Sequence, residues 1–128
     1  TSIMLRNIFM QGNYYFTTAS WELGTTRTDY TLYSGSGKEL SSDSKTGWTL
    51  LNDNENDYLF IIPQELTAWD GSTDLATATT QTYIQLECTI KNSDNPNVFS
   101  GTAYIPFGAS LSAGYQYDVK INIGKNSL

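Results

Sequence analysis

The sequence contains no histidine, so the side chain most used for proton transfer near neutral pH is missing. Cys88 is the single cysteine, which excludes an intramolecular disulfide and a cysteine-built zinc site. A nucleophilic thiol needs a basic partner to become a thiolate. Cys88 stands instead in the run Tyr83–Lys91, where Ile84, Leu86, Cys88 and Ile90 alternate with Gln85, Glu87, Thr89 and Lys91. That spacing makes it a small buried hydrophobe on a strand. Carboxylates are what remains for catalysis. Glycoside cleavage needs two of them about 5–10 Å apart, and thirteen acidic residues offer pairs only by chance, with none in a patterned setting. Asp70, in Trp69-Asp70-Gly71, reads as part of a turn after a packed Trp. Asp53, Glu55 and Asp57 alternate, but a calcium loop needs more ligands and a glycine at the bend, so they read as a solvated turn. Ser34-Gly35-Ser36-Gly37 lacks the Lys-Ser/Thr pair of a phosphate loop. The expectation is a non-enzyme with no cofactor and no metal.

Aromatic side chains offer a second kind of chemistry, since a ring left wet on one side marks a recognition surface. The chain has nine Tyr, five Phe and three Trp. Trp48 and Trp69 read as core residues. Trp21, beside Glu22, is the exposed-aromatic candidate for binding a sugar or protein. Charge narrows the partners further. With net charge −6 and only seven Lys and Arg, no cluster of cations exists for a phosphate backbone or an anionic membrane. No apolar run is long enough to cross a bilayer as a helix.

These residues must be carried by strands, because period-two patterning recurs throughout and a 3.6 period does not. Ile3 to Phe9 reads as a first strand, with Ile3, Leu5 and Phe9 on one face and Asn13 to Thr18 as its hairpin partner. Thr28 to Ser34 follows, then a polar loop to Gly47, and a short strand at Trp48 to Leu51. Asp57 to Ile62 is the most apolar run and reads as a strand buried on both faces, stopped by Pro63. A polar connection, Ala68 to Thr82, leads to the Cys88 strand. Val98 to Phe107 is interrupted by Gly101, which reads as a bulge or a close backbone approach. The most regular strand comes last. Tyr115, Tyr117, Val119, Ile121 and Ile123 share one face, opposite Gln116, Asp118, Lys120 and Asn122. About seven or eight short strands of this kind predict an all-β, two-sheet antiparallel β-sandwich, transthyretin-like or Ig-like, formed as one domain over residues 1–128.

One ordered set of residues carries a resemblance. It runs through Trp48, Tyr58-Leu59-Phe60-Ile61-Ile62-Pro63-Gln64-Glu65-Leu66, Trp69 and Thr82 to Ile90. It continues through Tyr104-Ile105-Pro106-Phe107 and Gly114 to Gly124. This resembles the fimbrillin-like family of Bacteroidales. There an apolar strand ending in Ile-Pro-Gln is followed by Leu and Trp, a Tyr-led strand, a Pro-Phe pair and a Gly-x-x-Tyr terminal strand. The resemblance implies a structural subunit of a cell-surface fimbria, a pilin assembled by β-strand addition. The alternative is a surface adhesin or binding module for host glycan or protein. It further implies that residues 1–128 are the C-terminal half of a two-domain subunit, held at a Gram-negative outer membrane by a lipid anchor on its precursor. Partners would be other pilin subunits, with host protein or glycan as a second class. In that setting the last strand, Tyr115 to Ile123, is the candidate assembly strand, an ordinary core strand being the other reading of the same pattern.

Overall fold

A computed structural model describes residues 2–36, 59–91, 94, 98–119 and 121. The expected strand at Trp48–Leu51, the acidic turn at Asp53, Glu55 and Asp57, and Ile123 lie outside the described residues. Within them the chain is an all-β sandwich with no helix, built from eight strands paired antiparallel. In chain order these are β1 (Ser2–Phe9), β2 (Gly12–Tyr15), β3 (Ser20–Leu23), β4 (Arg27–Ser34), β5 (Gln64–Leu66), β6 (Tyr83–Ile90), β7 (Phe99–Pro106) and β8 (Ala109–Leu111).

The main layer is a four-stranded sheet in the order β4-β1-β6-β7. Alternation sends one set of side chains to the core. Across the sheet, Ile3 pairs with Leu86 and Leu86 with Ala103, while Leu5 pairs with Ile84 and Ile84 with Ile105. Ile3, Leu5, Ile84 and Leu86 are buried and join Ile8 and Leu66 in the core cluster. The second layer, among the described residues, has two strands. It is the ribbon β5–β8, which supplies Leu66 and Leu111, assisted by Leu59, Ile61, Phe107 and Ile121. β2 and β3 form a separate hairpin, tied down by Met10 N–H donating to Thr26 C=O and Gly24 N–H to Gln11 C=O.

A β-bulge corrects the expected faces of the first strand. Leu5 pairs with Tyr30 and Ile8 with Thr28, so Arg6 and Asn7 together oppose Asp29. The extra residue inverts the alternation, so Ile8 rather than Phe9 enters the core, at 0% exposure. Phe9 instead lies beneath the Arg27 guanidinium, 3.9 Å from the ring centroid. Asn7 takes up the bend at φ 66°, a left-handed conformation that Asn tolerates better than most residues. Four hydrogen bonds hold it there. Its Nδ2 donates to Ala78 O and Gln81 O, both at 2.9 Å, its N–H donates to Asp29 Oδ1 at 3.0 Å, and its C=O accepts from Arg27 Nη1 at 2.9 Å.

Other expectations also need correction. Asn13–Thr18 does not pair with the first strand. Gly12–Tyr15 pairs with Ser20–Leu23, because β1 has both edges occupied, by β4 and β6. Of the run Asp57–Ile62, the described residues 59–62 form no strand, and Phe60 is 86% exposed. Pro63 precedes a strand rather than ending one: β5 starts at Gln64 and pairs with β8. Gly101 is neither a bulge nor a close approach. It pairs with Cys88 in an unbroken β6–β7 register, and a Cβ there would meet nothing nearer than Phe99, at 3.9 Å. Its φ of +146° is the reason for glycine.

Gln64 joins the two layers. Its side chain is buried; Oε1 accepts the Phe9 N–H at 2.9 Å and Nε2 donates to Phe9 O and Ile62 O, both at 3.1 Å. A side-chain amide here satisfies both backbone groups of one residue, as a neighbouring strand would.

Candidate functional site

Cys88 is only partly buried. It packs against the core cluster, and burial pushes its thiol above the ordinary value, away from thiolate chemistry. Asp70 shapes a turn. One of its oxygens accepts the Ser72 N–H at 2.8 Å and the Thr73 N–H at 2.7 Å, while the other accepts the Thr73 hydroxyl. The Thr73 hydroxyl, followed by these backbone donors, holds the carboxyl well below the usual carboxylate range. Gly71, at φ +80°, completes the bend.

That turn positions Trp69, whose indole N–H donates to Thr73 O at 2.8 Å. Trp69 was expected in the core, but it packs on the outer face of the main sheet. Its ring lies 6.1 Å from Tyr83 and 6.4 Å from Tyr104, both on the face opposite Ile84 and Ile105. Arg6 continues this face: Nη1 donates to Gln85 Oε1 at 2.9 Å and the guanidinium sits 5.8 Å from the Tyr83 centroid. Its Nε lies 3.0 Å from Asp29 Oδ1, close enough for an ion pair, although the N–H is not aimed at the oxygen. The rings and charges here are bonded to one another.

Trp21 lies in a different setting, on the β2–β3 hairpin. It pairs with Tyr14 across the ribbon, and Tyr14 and Phe16 follow on one face by alternation. The ring centroids of Tyr14 and Trp21 are 5.4 Å apart, and those of Tyr14 and Phe16 are 5.1 Å apart, edge to face. At its inner end the indole lies over Gly12, where any Cβ would come within 3.3 Å of it. The other end is open: Trp21 is 37% exposed and Phe16 is 89% exposed. On the opposite face the Tyr15 hydroxyl donates to Glu22 at 2.6 Å, which raises the Tyr15 pKa. Reading the sequence singled out Trp21 alone. Alternation places Tyr14 and Phe16 together, but pairing Asn13–Thr18 with the first strand separated them from Trp21, which lies opposite Tyr14.

The candidate assembly strand differs most from expectation. Residues 115–119 form no strand, and Tyr115 is 73% exposed, with Tyr117 and Val119 also exposed. The Tyr117 hydroxyl accepts the Ser112 N–H at 2.8 Å. Among the described residues of this segment, Ile121 alone reaches the core cluster. Alternation qualifies a segment for a ladder, but the ladder needs a free neighbouring edge along its course. After the turn at Ala113–Gly114, residues 115–119 pair with none of the described strands.

No family model matches the chain, and no curated protein or solved structure matches it. The functional reading therefore rests on the geometry and on the resemblance carried by the residues quoted above.

Proposed function

We propose that this chain is a structural subunit of a cell-surface fimbria, of the fimbrillin-like kind its sequence resembles, and that it joins its neighbours by β-strand addition. The observation that carries this reading is the state of residues 115–119. The stretch with the most regular strand pattern in the sequence is exposed and outside every ladder. Such a segment is suited to pair with another chain, where main-chain hydrogen bonds give affinity and alternate side chains give register.

The main sheet offers a place to receive a strand. β7 is an edge, paired only with β6 among the described residues. Its core-facing Ala103 and Ile105 are half-covered, whereas their partners Leu86 and Ile84 are buried. A strand laid along β7 would satisfy its open backbone groups and cover those side chains. On this reading the protein sits on the surface of a Gram-negative bacterium of the Bacteroidales, held by the lipid anchor of its precursor.

The test is electrophoresis, without boiling, of the full-length protein made in its native host. A ladder of detergent-resistant oligomers that collapses on heating is expected. Val119→Pro, which places a ring and a missing donor in the segment, should abolish the ladder. A monomer band alone, persisting after protease trimming, would reject strand addition.

The exposed cluster of Tyr14, Phe16 and Trp21 favours a second reading, a surface adhesin or binding module for host glycan or protein. Both readings are compatible with a β-sandwich, which serves many functions.

A further inference from the structure

We propose that the hairpin face formed by Tyr14, Phe16 and Trp21 is a stacking site for a neutral sugar ring of a glycan. The proposal deepens the adhesin reading and is independent of strand addition.

Phe16 is the starting point. A phenyl ring 89% exposed gains almost nothing from the fold, and its recorded ring contact is the edge-to-face pair with Tyr14. Tyr14 in turn leans on Trp21, which is anchored over Gly12. The result is a short row of rings, fixed at one end and bare at the other.

Size separates the kinds of occupant. A large aromatic side chain offers about 150–250 Å² when wholly buried. Three partly covered rings therefore fall well below the roughly 800 Å² per partner of a stable protein interface. They match one or two sugar rings instead.

Chemistry narrows the choice further. The Tyr14 hydroxyl and the Trp21 indole N–H have no hydrogen-bond partner among the described residues. An occupant that covers the rings must also serve these two groups, or their desolvation opposes binding. A pyranose has both parts: a C–H face that stacks on a ring, and hydroxyls at its rim. A hydrocarbon tail has only the first. The net charge of −6 disfavours an acidic sugar or an anionic bilayer, leaving neutral sugars.

The test is NMR titration of the ¹⁵N-labelled 128-residue chain with two probes, cellotriose and mannotriose. The Trp21 indole N–H, assigned through Trp21→Phe, should shift saturably with at least one probe, while the Trp69 indole stays in place. Phe16→Ala should weaken that binding about tenfold, the equivalent of one aromatic contact. Its melting temperature should not change, because the ring contributes nothing to the core. Absence of a Trp21 shift with both probes overturns the proposal, as does an equal shift at the Trp69 indole. So does a Trp21 shift produced by phosphatidylcholine vesicles or by raising the protein concentration, without any response to sugar. A host protein that binds through Phe16 in the absence of sugar response would overturn the sugar proposal and leave the adhesin reading standing.

Discussion

Asn7 shows how much structure one residue can decide. It supplies the left-handed backbone that the β1 bulge needs, and its amide nitrogen ties that bulge to Ala78 O and Gln81 O. Asn7→Ala leaves both carbonyls short of a donor and keeps the strained φ, so a loss of about 2–4 kcal/mol is expected in urea unfolding. Asn7→Gly relieves the backbone only and should recover about 1 kcal/mol of that loss. An alanine variant as stable as the parent would show that the bulge is held by its neighbours. Asp70 is the contrasting case, because its partners lie within three residues and the turn was legible from Trp69-Asp70-Gly71. Its folded pKa is depressed, so the stability it contributes is present above the ordinary carboxylate pKa. That contribution is lost as pH falls from there towards the lower folded value. Asp70→Asn should therefore flatten the acid limb of the stability–pH curve, read by thermal melts across that limb, and a curve parallel to that of the parent would refute it. Asn7 was illegible for the opposite reason: the partners of its side chain, Ala78 and Gln81, are more than seventy residues away.

Among the elements, β1, β4, β6 and β7 were read within a residue or two in their bounds, because each lies on one broad core and alternates except where the β1–β4 register shifts. The Tyr83–Lys91 pattern, for instance, maps directly onto Ile84 and Leu86 inward and Glu87 and Thr89 outward. The failures share a physical cause. Hydrophobic pattern reports what a segment is suited to, whereas pairing depends on which edges are free. Asn13–Thr18 lost its expected partner to β4 and β6, and Tyr115–Val119 lies outside every described pairing. β8, of three residues, is too short to show a period. Gln64 marks the junction that patterning could not show. Gln64→Leu keeps the volume near that of the parent but strips Phe9 of partners for both backbone groups. A loss of about 2–4 kcal/mol is expected, with faster amide exchange at Phe9. Unchanged exchange at Phe9 would mean that water takes over the role of the amide.

At the scale of the whole molecule, the all-β class was legible from composition: aromatic and hydroxyl-bearing residues abound and helix formers are scarce. The division of the strands between the layers was not. Among the described residues β4-β1-β6-β7 form one sheet and β5 and β8 a separate pair, and that grouping follows from long-range docking that no local period encodes. The sheet order carries a consequence in time. β1, made early, lies between β4 and β6, and Ser2 is paired with Glu87. As the chain emerges N-terminus first, β1 and β4 can meet as a local pair, but the other edge of β1 lacks its neighbour until β6 has emerged. Closing that long interval is entropically slow, so the nascent chain passes through a stage with a sticky, half-covered strand. A chaperone acting during synthesis would find its natural target there, in the interval between the birth of β4 and the arrival of β6.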